Sequence, residues 1–447
     1  RDRGRDRGAN ISNFCWYDDP VKMVAEVDCD VVLELIGGDG GIAKSVCETA
    51  IAKRRHIVTA NKALLALHGT ELARASESAG IAFCYEAAVA GGIPVIKTLR
   101  ESLSGNNVSR IQGILNGTCN FILSSMRTSG SAFEEVLAEA QKLGYAESDP
   151  SLDVDGIDAA HKLAILSSIA FGTELDFEGV YVEGIRSISA EDIAFADELG
   201  FRIKLLGIAE KTQEGVRQRV HPAMVPISAP ISAIEGVLNG VSIEGDFVGP
   251  IMLEGAGAGG GPTSSAVVAD LVDIACGRVL PLLGISTNYL TRAAVNPMEN
   301  HKGAYFIRMM VYDRPGVLAD ITPPVALAAY AASGIAKSNP FRTGNTAFRL
   351  GIAKALVPFV FVYSPSLLLI TGEFQTNQLI ITLIGTLIGI ALIGIAFSGY
   401  WLRPLMKYEQ IFVGIGSLFF VAPGIGSMVI GIIIILPILF LQFYKKN

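Results

Sequence analysis

The stretch Asp153-Val154-Asp155-Gly156-Ile157-Asp158-Ala159-Ala160-His161-Lys162-Leu163-Ala164-Ile165-Leu166 decides how this chain is read. Gly156 permits a turn, and the run from Ile157 to Phe171 then reads as a helix that is apolar nearly all round, which requires burial. Asp158 and Lys162 stand four apart and share one face of it. Charges inside an apolar helix are costly unless paired or put to use. The residues alone leave two readings open. One is a structural helix ion pair; the other is a lysine that moves protons beside an aspartate that orients it, because burial lowers a lysine's pKa into a useful range.

Upstream, residues 31–89 alternate strand and helix. Val31 to Ile36 is a buried-strand pattern ended by Gly37-Gly38, an amphipathic helix runs from about Ile42 to Lys53, and His56 to Ala60 is a second strand. Asn61-Lys62 lie at the carboxyl end of that strand, where open α/β sheets place their ligands. A helix to about Ala79 leads to a third strand over 81–89, which makes most of a doubly wound parallel sheet. Such a fold normally starts with a strand, a GxGxxG turn and a helix that holds a pyrophosphate. Residues 1–30 contain no such turn. The phosphate cradle is therefore counted absent, and the chain as written is expected to bind a dinucleotide weakly or not at all and to have no activity that depends on one. Its opening, Arg1-Asp2-Arg3-Gly4-Arg5-Asp6-Arg7-Gly8, repeats a charged tetrad without an initiator Met and reads as the interior of a longer frame.

After Glu86 come Val89, Gly91 and Ile93, whose alternate carbonyls could join the Glu86 carboxylate in an oxygen cage for a hard cation; a glycine-rich hinge is the other reading. Residues 110–250 read as a second α/β domain. Its strands are expected at 110–115, 204–209, 216–220 and 234–241, with helices over 121–126 and 133–143 and Gly144 as a left-handed cap. Tyr145, Glu147 and Asp149 lead toward the Asp158/Lys162 helix. Residues 255–263 form a glycine-rich loop, which lets backbone approach a ligand closely before a helix over 264–275.

Composition sets limits on the whole. The chain has 447 residues, room for about two to four domains, and its 50% hydrophobic content and mean hydropathy of +0.44 exceed those of a soluble globular chain. The excess is local. Residues 355–372, 374–402 and 410–444 contain no Asp, Glu, Lys or Arg, and each is expected as a membrane segment, the last as one long tilted helix or a hairpin broken near Pro423-Gly424. A net charge of −7 argues against a nucleic-acid partner. The six cysteines form no CxxC pair, which places the folded part in a reducing, cytoplasmic setting.

Seven ordered motifs carry a resemblance: ELIGG at 34–38, TANKALLA at 59–66, YEAAVAGGIP at 85–94, GILNGTCN at 113–120, GYAESDP at 144–150, DVDGIDAAHKLAIL at 153–166 and GAGAGGGPTSSAVVADL at 255–271. Through them residues 26–300 resemble the homoserine dehydrogenases, which reversibly reduce L-aspartate 4-semialdehyde to L-homoserine with NAD(P)H. The resemblance implies roles. Lys162 matches the proton-transfer lysine and Asp158 the aspartate beside it. Lys62 matches a lysine that contacts cofactor and substrate, and Glu147 the carboxylate for the substrate amino group, with Thr118, Tyr145 and Asp153 around it. Gly144, Gly257 and Gly259 match contacts to NADP or NAD; Glu86, Val89, Gly91 and Ile93 match a sodium ion site. His161 matches no catalytic role and is read as helix packing. A homo-oligomer is implied for the enzyme part.

The resemblance changes after residue 300. Residues 304–322 are similar to the opening of an ACT regulatory domain, and from about 318 the chain resembles the C-terminus of a TRAP-type fused permease, through residues 319–336 and 356–369. Both likenesses share residues 318–322, as recombination or an assembly error would leave. The expected organisation is an α/β protein. It has an incomplete doubly wound, Rossmann-like NAD(P)-binding domain over 1–92, completed by about 257–300, and a catalytic α/β domain over 93–256. An ACT stub at 304–322 and an α-helical transmembrane tail at 323–447, set in a bacterial inner membrane, follow. The alternatives are a TRAP-type transporter component, a non-functional chimaera, or an enzyme anchored by fusion.

Overall fold

A computed structural model describes residues 8, 13–301, 303–306, 308, 376–422 and 425–444. The chain divides into two compact units, Arg1–Arg308 and Met309–Asn447. Most of the ACT-like stretch and the first uncharged run at 355–372 lie outside the described residues, as does nearly all of the charged opening repeat.

The first unit begins with α1 (Pro20–Glu26), whose first turn is held by the Asp19 carboxylate, which accepts from the amides of Val21 at 2.8 Å and Lys22 at 3.2 Å. Then come β1 (Val31–Glu34), α2 (Gly41–Ala52), β2 (His56–Thr59), α3 (Lys62–Ala79) and β3 (Phe83–Cys84). The three strands are parallel in the order β1-β2-β3, which is the parallel sheet expected for this segment. The third strand is shorter than its apolar run over 81–89. The Glu86 amide donates to the Asp270 carboxylate at 2.9 Å instead of joining a ladder, and the chain passes into a 3₁₀ turn over Glu86–Ala88.

The second sheet is built from β4 (Val108–Ile114), β5 (Val180–Val182), β6 (Phe201–Thr212), β7 (Gly215–Pro226), β8 (Leu238–Gly245) and β9 (Gly249–Ala256), in the order β5-β7-β6-β4-β8-β9. Every pairing is antiparallel except β5 with β7, so the sheet is mixed. α4 (Val95–Lys97) precedes β4; between these strands run α5 (Gly117–Ser129), α6 (Phe133–Lys142), α7 (Ser151–Val154), α8 (Ile157–Phe171) and α9 (Ala190–Glu198), and α10 (Gly260–Ala275) follows β9. The 234–241 strand is displaced toward the C-terminus, because Pro230–Ala233 forms a 3₁₀ turn and Gly236 takes a φ of 64°. β5 and β9 do not announce themselves in the sequence. Pairing with β8 makes β9 a strand, and its own pattern alternates poorly. α5 starts at Gly117 rather than at Phe121, since the Asn116 side chain accepts from the Cys119 amide at 2.8 Å and caps the helix earlier.

α8 has the all-round burial its sequence requires. Gly156 at a φ of 86° precedes it and Gly172 at 65° ends it. Leu163, Ala164, Leu166 and Ala160 are at most 1% exposed, packed into the main core with Ile111 of β4 and Val220 of β7. α8 lies on β4, β6 and β7 of the second sheet and against α3, the helix that joins β2 to β3 of the first.

The second unit contains α11 (Thr376–Ser398), α12 (Lys407–Val421) and α13 (Ile425–Tyr444), with α12 packed against the other two through Val413, Phe420, Leu392 and Ile435. The run 410–444 is divided between α12, which ends at Val421, and α13, which starts at Ile425. The expected transmembrane tail is corrected for these residues. Among the described residues no helix is long and apolar enough to cross a membrane. α12 has 15 residues, short of the roughly 20 a span requires. The helix ends are tied by polar groups instead. Arg403 Nη2 meets Glu409 Oε1 at 2.6 Å, and Gln442 Nε2 donates to Glu409 Oε2 at 3.3 Å.

Candidate active site

The first turn of α8 and the carboxyl end of β4 meet at a buried charge cluster. Asp158 and Lys162 are 7% and 9% exposed, and their helical spacing brings Lys162 Nζ to 2.7 Å from Asp158 Oδ2. Lys162 also donates to the Leu115 carbonyl at 2.8 Å. Those bonds use two of the three donors of an ammonium, and one is left for a ligand. Lys62, the first residue of α3, reaches Asp158 Oδ1 at 3.3 Å and is partly exposed. Asn116 closes the group, its Nδ2 donating to Asp158 Oδ2 at 2.9 Å and to Asp153 Oδ1 at 2.7 Å. Burial alone would push the Asp158 carboxyl up, but the Lys162 and Lys62 charges, helped by the Lys162 and Asn116 hydrogen bonds, hold it down at about 2. Asp153 goes the other way: burial raises it, and the Asn116 bond offsets that only in part.

Thr118 and Tyr145 form a neighbouring pair, since Thr118 Oγ1 donates to the Tyr145 carbonyl at 2.7 Å and the Tyr145 ring lies 5.0 Å from Phe121. Asp153 joins the charge cluster through Asn116, and its carbonyl accepts from Cys119 Sγ at 3.2 Å. Gly144, at a φ of 78°, turns the chain out of α6 and leaves Glu147 on an exposed stretch. The Glu147 carbonyl accepts from Gln141 Nε2 at 3.0 Å, so the turn is held while the carboxylate faces solvent. His161 stacks on Phe177 with ring centroids 4.5 Å apart, in keeping with a packing role.

The glycine-rich segment lies between the Asn239 side chain and the backbone at Gly91. A Cβ on Gly257 would come within 2.6 Å of Asn239 Nδ2 and nearer still to Oδ1, and a Cβ on Gly91 would come within 2.7 Å of the Gly257 carbonyl. Gly259, at a φ of 121°, opens α10 without a side-chain cap, and α10 starts at Gly260 rather than at Ser264. Glycines here keep backbone amides open to an anion at a helix start, which suits a nucleotide. The cation cage fares differently. Both Glu86 carboxylate oxygens accept backbone amides, from Ile96 and Lys97 at 2.9 Å each, and the Ile93 carbonyl accepts from Val95 at 2.7 Å. Burial pushes the Glu86 carboxyl up to about 7, against the charge a cation ligand needs. Of the four residues read as a sodium site, Glu86 and Ile93 thus already carry amide partners.

Two contributors went unremarked in the sequence. Asn116 lies inside GILNGTCN; its cap role has a sequence signal, an Asn at a helix start, but its bonds to two aspartates have none. Asn239 carries no local signal at all.

Comparison with known proteins adds two family matches. The model described as homoserine dehydrogenase matches residues 94–272. The model for the tripartite ATP-independent periplasmic transporter, DctM component, matches residues 288–376, starting ahead of the residue-318 boundary expected and lying mostly outside the described residues. Homoserine dehydrogenase of Neisseria gonorrhoeae is 48% identical over 317 residues, 70% of this chain and 73% of that protein. The crystal structure of a homoserine dehydrogenase from Thiobacillus denitrificans superposes with a TM-score of 0.64 at 46% identity, covering 70% of this chain and 73% of that one. A hyperthermophilic archaeal homoserine dehydrogenase in complex with NADPH gives a TM-score of 0.52 at 29% identity, over 59% and 76% of the two chains.

Proposed function

The chain belongs to the homoserine dehydrogenase family, and from that premise we propose that its first unit interconverts L-aspartate 4-semialdehyde and L-homoserine at the Lys162 cluster with NADPH or NADH. The observation that carries the proposal is the buried Lys162, bonded to Asp158 and to the Leu115 carbonyl with one donor remaining. NAD(P)H, when bound, supplies the hydride to the aldehyde carbon. As that carbon is reduced, its oxygen gains charge, and the Lys162 ammonium passes it a proton. Asp158 holds the lysine in place and, ionised throughout, balances the charge of Lys62 as well. Lys62, partly open to solvent, is placed to contact substrate or cofactor beside the reacting oxygen. Glu147 faces solvent at the entrance and offers its carboxylate to the substrate ammonium, with Tyr145, Thr118 and Asp153 shaping the approach. Gly144, Gly257 and Gly259 leave backbone accessible to the dinucleotide. No step runs through the Glu86 segment.

Following NADPH absorbance with L-aspartate 4-semialdehyde tests the reading, with L-homoserine and NADP⁺ for the reverse. Little or no consumption is expected from the chain alone, whose residues 1–30 hold no phosphate-binding turn, and consumption that depends on both substrates is expected once that turn is supplied. The chain joined behind an intact nucleotide-binding N-terminus from a relative provides a second arm, and no turnover in either would end the proposal. Glu147→Ala is expected to raise the KM for the semialdehyde about tenfold with kcat within a few-fold of wild type, because a charge that binds the ammonium alike in ground and transition states acts on uniform binding. A fall in kcat at unchanged KM would remove Glu147 from that role.

A further inference from the structure

Asn239, near the start of β8, is 1% exposed, and neither its Oδ1 nor its Nδ2 has a hydrogen-bond partner. Buried polar side-chain atoms are almost always paired, so a residue with both amide atoms unpaired calls for a reason. Its surroundings supply one. The carboxamide presses on Gly257, where a Cβ would come within 2.6 Å of Nδ2, and Oδ1 lies 3.5 Å from where a Cβ on Gly117 would stand. Gly117 follows Asn116, which holds Asp153 and Asp158; Gly257 precedes Gly259, which opens α10. Asn239 thus stands between the charge cluster and the glycine loop, with both atoms of its carboxamide close to Gly257 on the loop side. Beyond the loop, the Gly257 carbonyl faces Gly91, so this peptide has close neighbours on both sides. An apolar side chain would fill the same place without two desolvated polar atoms.

We propose that Asn239 is a positioning residue for the dinucleotide, whose carboxamide is unpaired in the free protein and gains hydrogen bonds from the backbone of the glycine loop when a dinucleotide seats at Gly257–Gly259. Part of the binding free energy then comes from satisfying a residue that touches no ligand atom. The inference rests on the proposed function for the identity of the ligand. The glycines give the loop the freedom to turn its peptides, and asparagine meets that turn with a donor or an acceptor whichever way its amide is oriented.

The prediction has opposite signs in two measurements on the full chain. Asn239→Leu removes the unpaired atoms, so the ligand-free protein is expected to melt at a higher temperature than wild type. The same variant is expected to bind NADPH at least tenfold more weakly by fluorescence titration, with kcat and the KM for the semialdehyde little changed. Since leucine is larger than asparagine, Asn239→Ala is the second variant, and it must lose NADPH affinity to the same degree while remaining folded. A purely structural asparagine would lower the melting temperature in both variants and leave NADPH affinity alone. That result, or unchanged affinity in either variant, overturns the inference by itself. If neither the chain nor the chain joined behind an intact nucleotide-binding N-terminus binds NADPH or oxidises L-homoserine, the proposed function is overturned and takes the inference with it.

Discussion

Lys162→Ala is expected to lower kcat for semialdehyde reduction by about 10²-fold or more, the usual scale for losing a positioned general acid. The site explains why the loss should fall on kcat. Two donors of Lys162 go to Asp158 and to the Leu115 carbonyl, and the third faces a ligand whose oxygen carries little charge until the hydride arrives. The contact is therefore stronger in the transition state than in the ground state, and removing it should change KM little. The fold should survive, because Asp158 keeps Lys62 at 3.3 Å and Asn116 at 2.9 Å and is not left as a lone buried charge. Lys162→Arg is expected to fold as well and yet remain slow, since a guanidinium does not give up its proton near neutral pH. Initial rates with both substrates varied, alongside circular dichroism, would check this. A Lys162→Ala protein with near-wild-type kcat would show that the pair is structural, the other reading its spacing leaves open.

The elements whose apolar period or capping residues act locally were readable in advance. α8 runs from Ile157 to Phe171 as its all-round apolar run requires, and β1, α2, β2 and α3 fall within a residue or two of their patterns. What escaped depends on partners distant in the chain. β3 ends early because Asp270, far along in α10, takes the Glu86 amide. β9 is a strand because β8 is beside it. The same holds at the site. The i,i+4 spacing puts Asp158 against Lys162, but nothing near Asn116 in sequence says that its amide will bridge Asp153 and Asp158, residues some forty positions on. The cation reading is a related case. Alternation in sequence does not tell which oxygens a backbone turn will already occupy, and here the amides of Val95, Ile96 and Lys97 take them.

Asp158→Asn should destabilise the first unit by about 3 kcal/mol, because it leaves the Lys162 ammonium buried with only neutral oxygens around it. The wild-type carboxyl shows how strongly the site favours the charged form. Although burial opposes ionisation, Lys162 and Lys62 hold Asp158 at about 2 against an ordinary 3.8. A folded-state pKa below the unfolded one means stability that is present above pH 3.8 and is lost as pH falls through about 2. The size of that depression corresponds to about 2 kcal/mol, near the mutational figure. Urea unfolding of wild type and Asp158→Asn at pH 7 and at pH 3 separates the possibilities. Wild type should lose stability toward the lower pH more steeply than the variant, whose side chain has no proton to take up there. Adding Lys162→Met to Asp158→Asn should restore much of the loss, since the stranded charge goes and a similar apolar volume replaces it. If Asp158→Asn unfolds within about 1 kcal/mol of wild type at pH 7, the pair carries no more free energy than a surface ion pair. The case for a tightly held, functional lysine would then lose its physical basis.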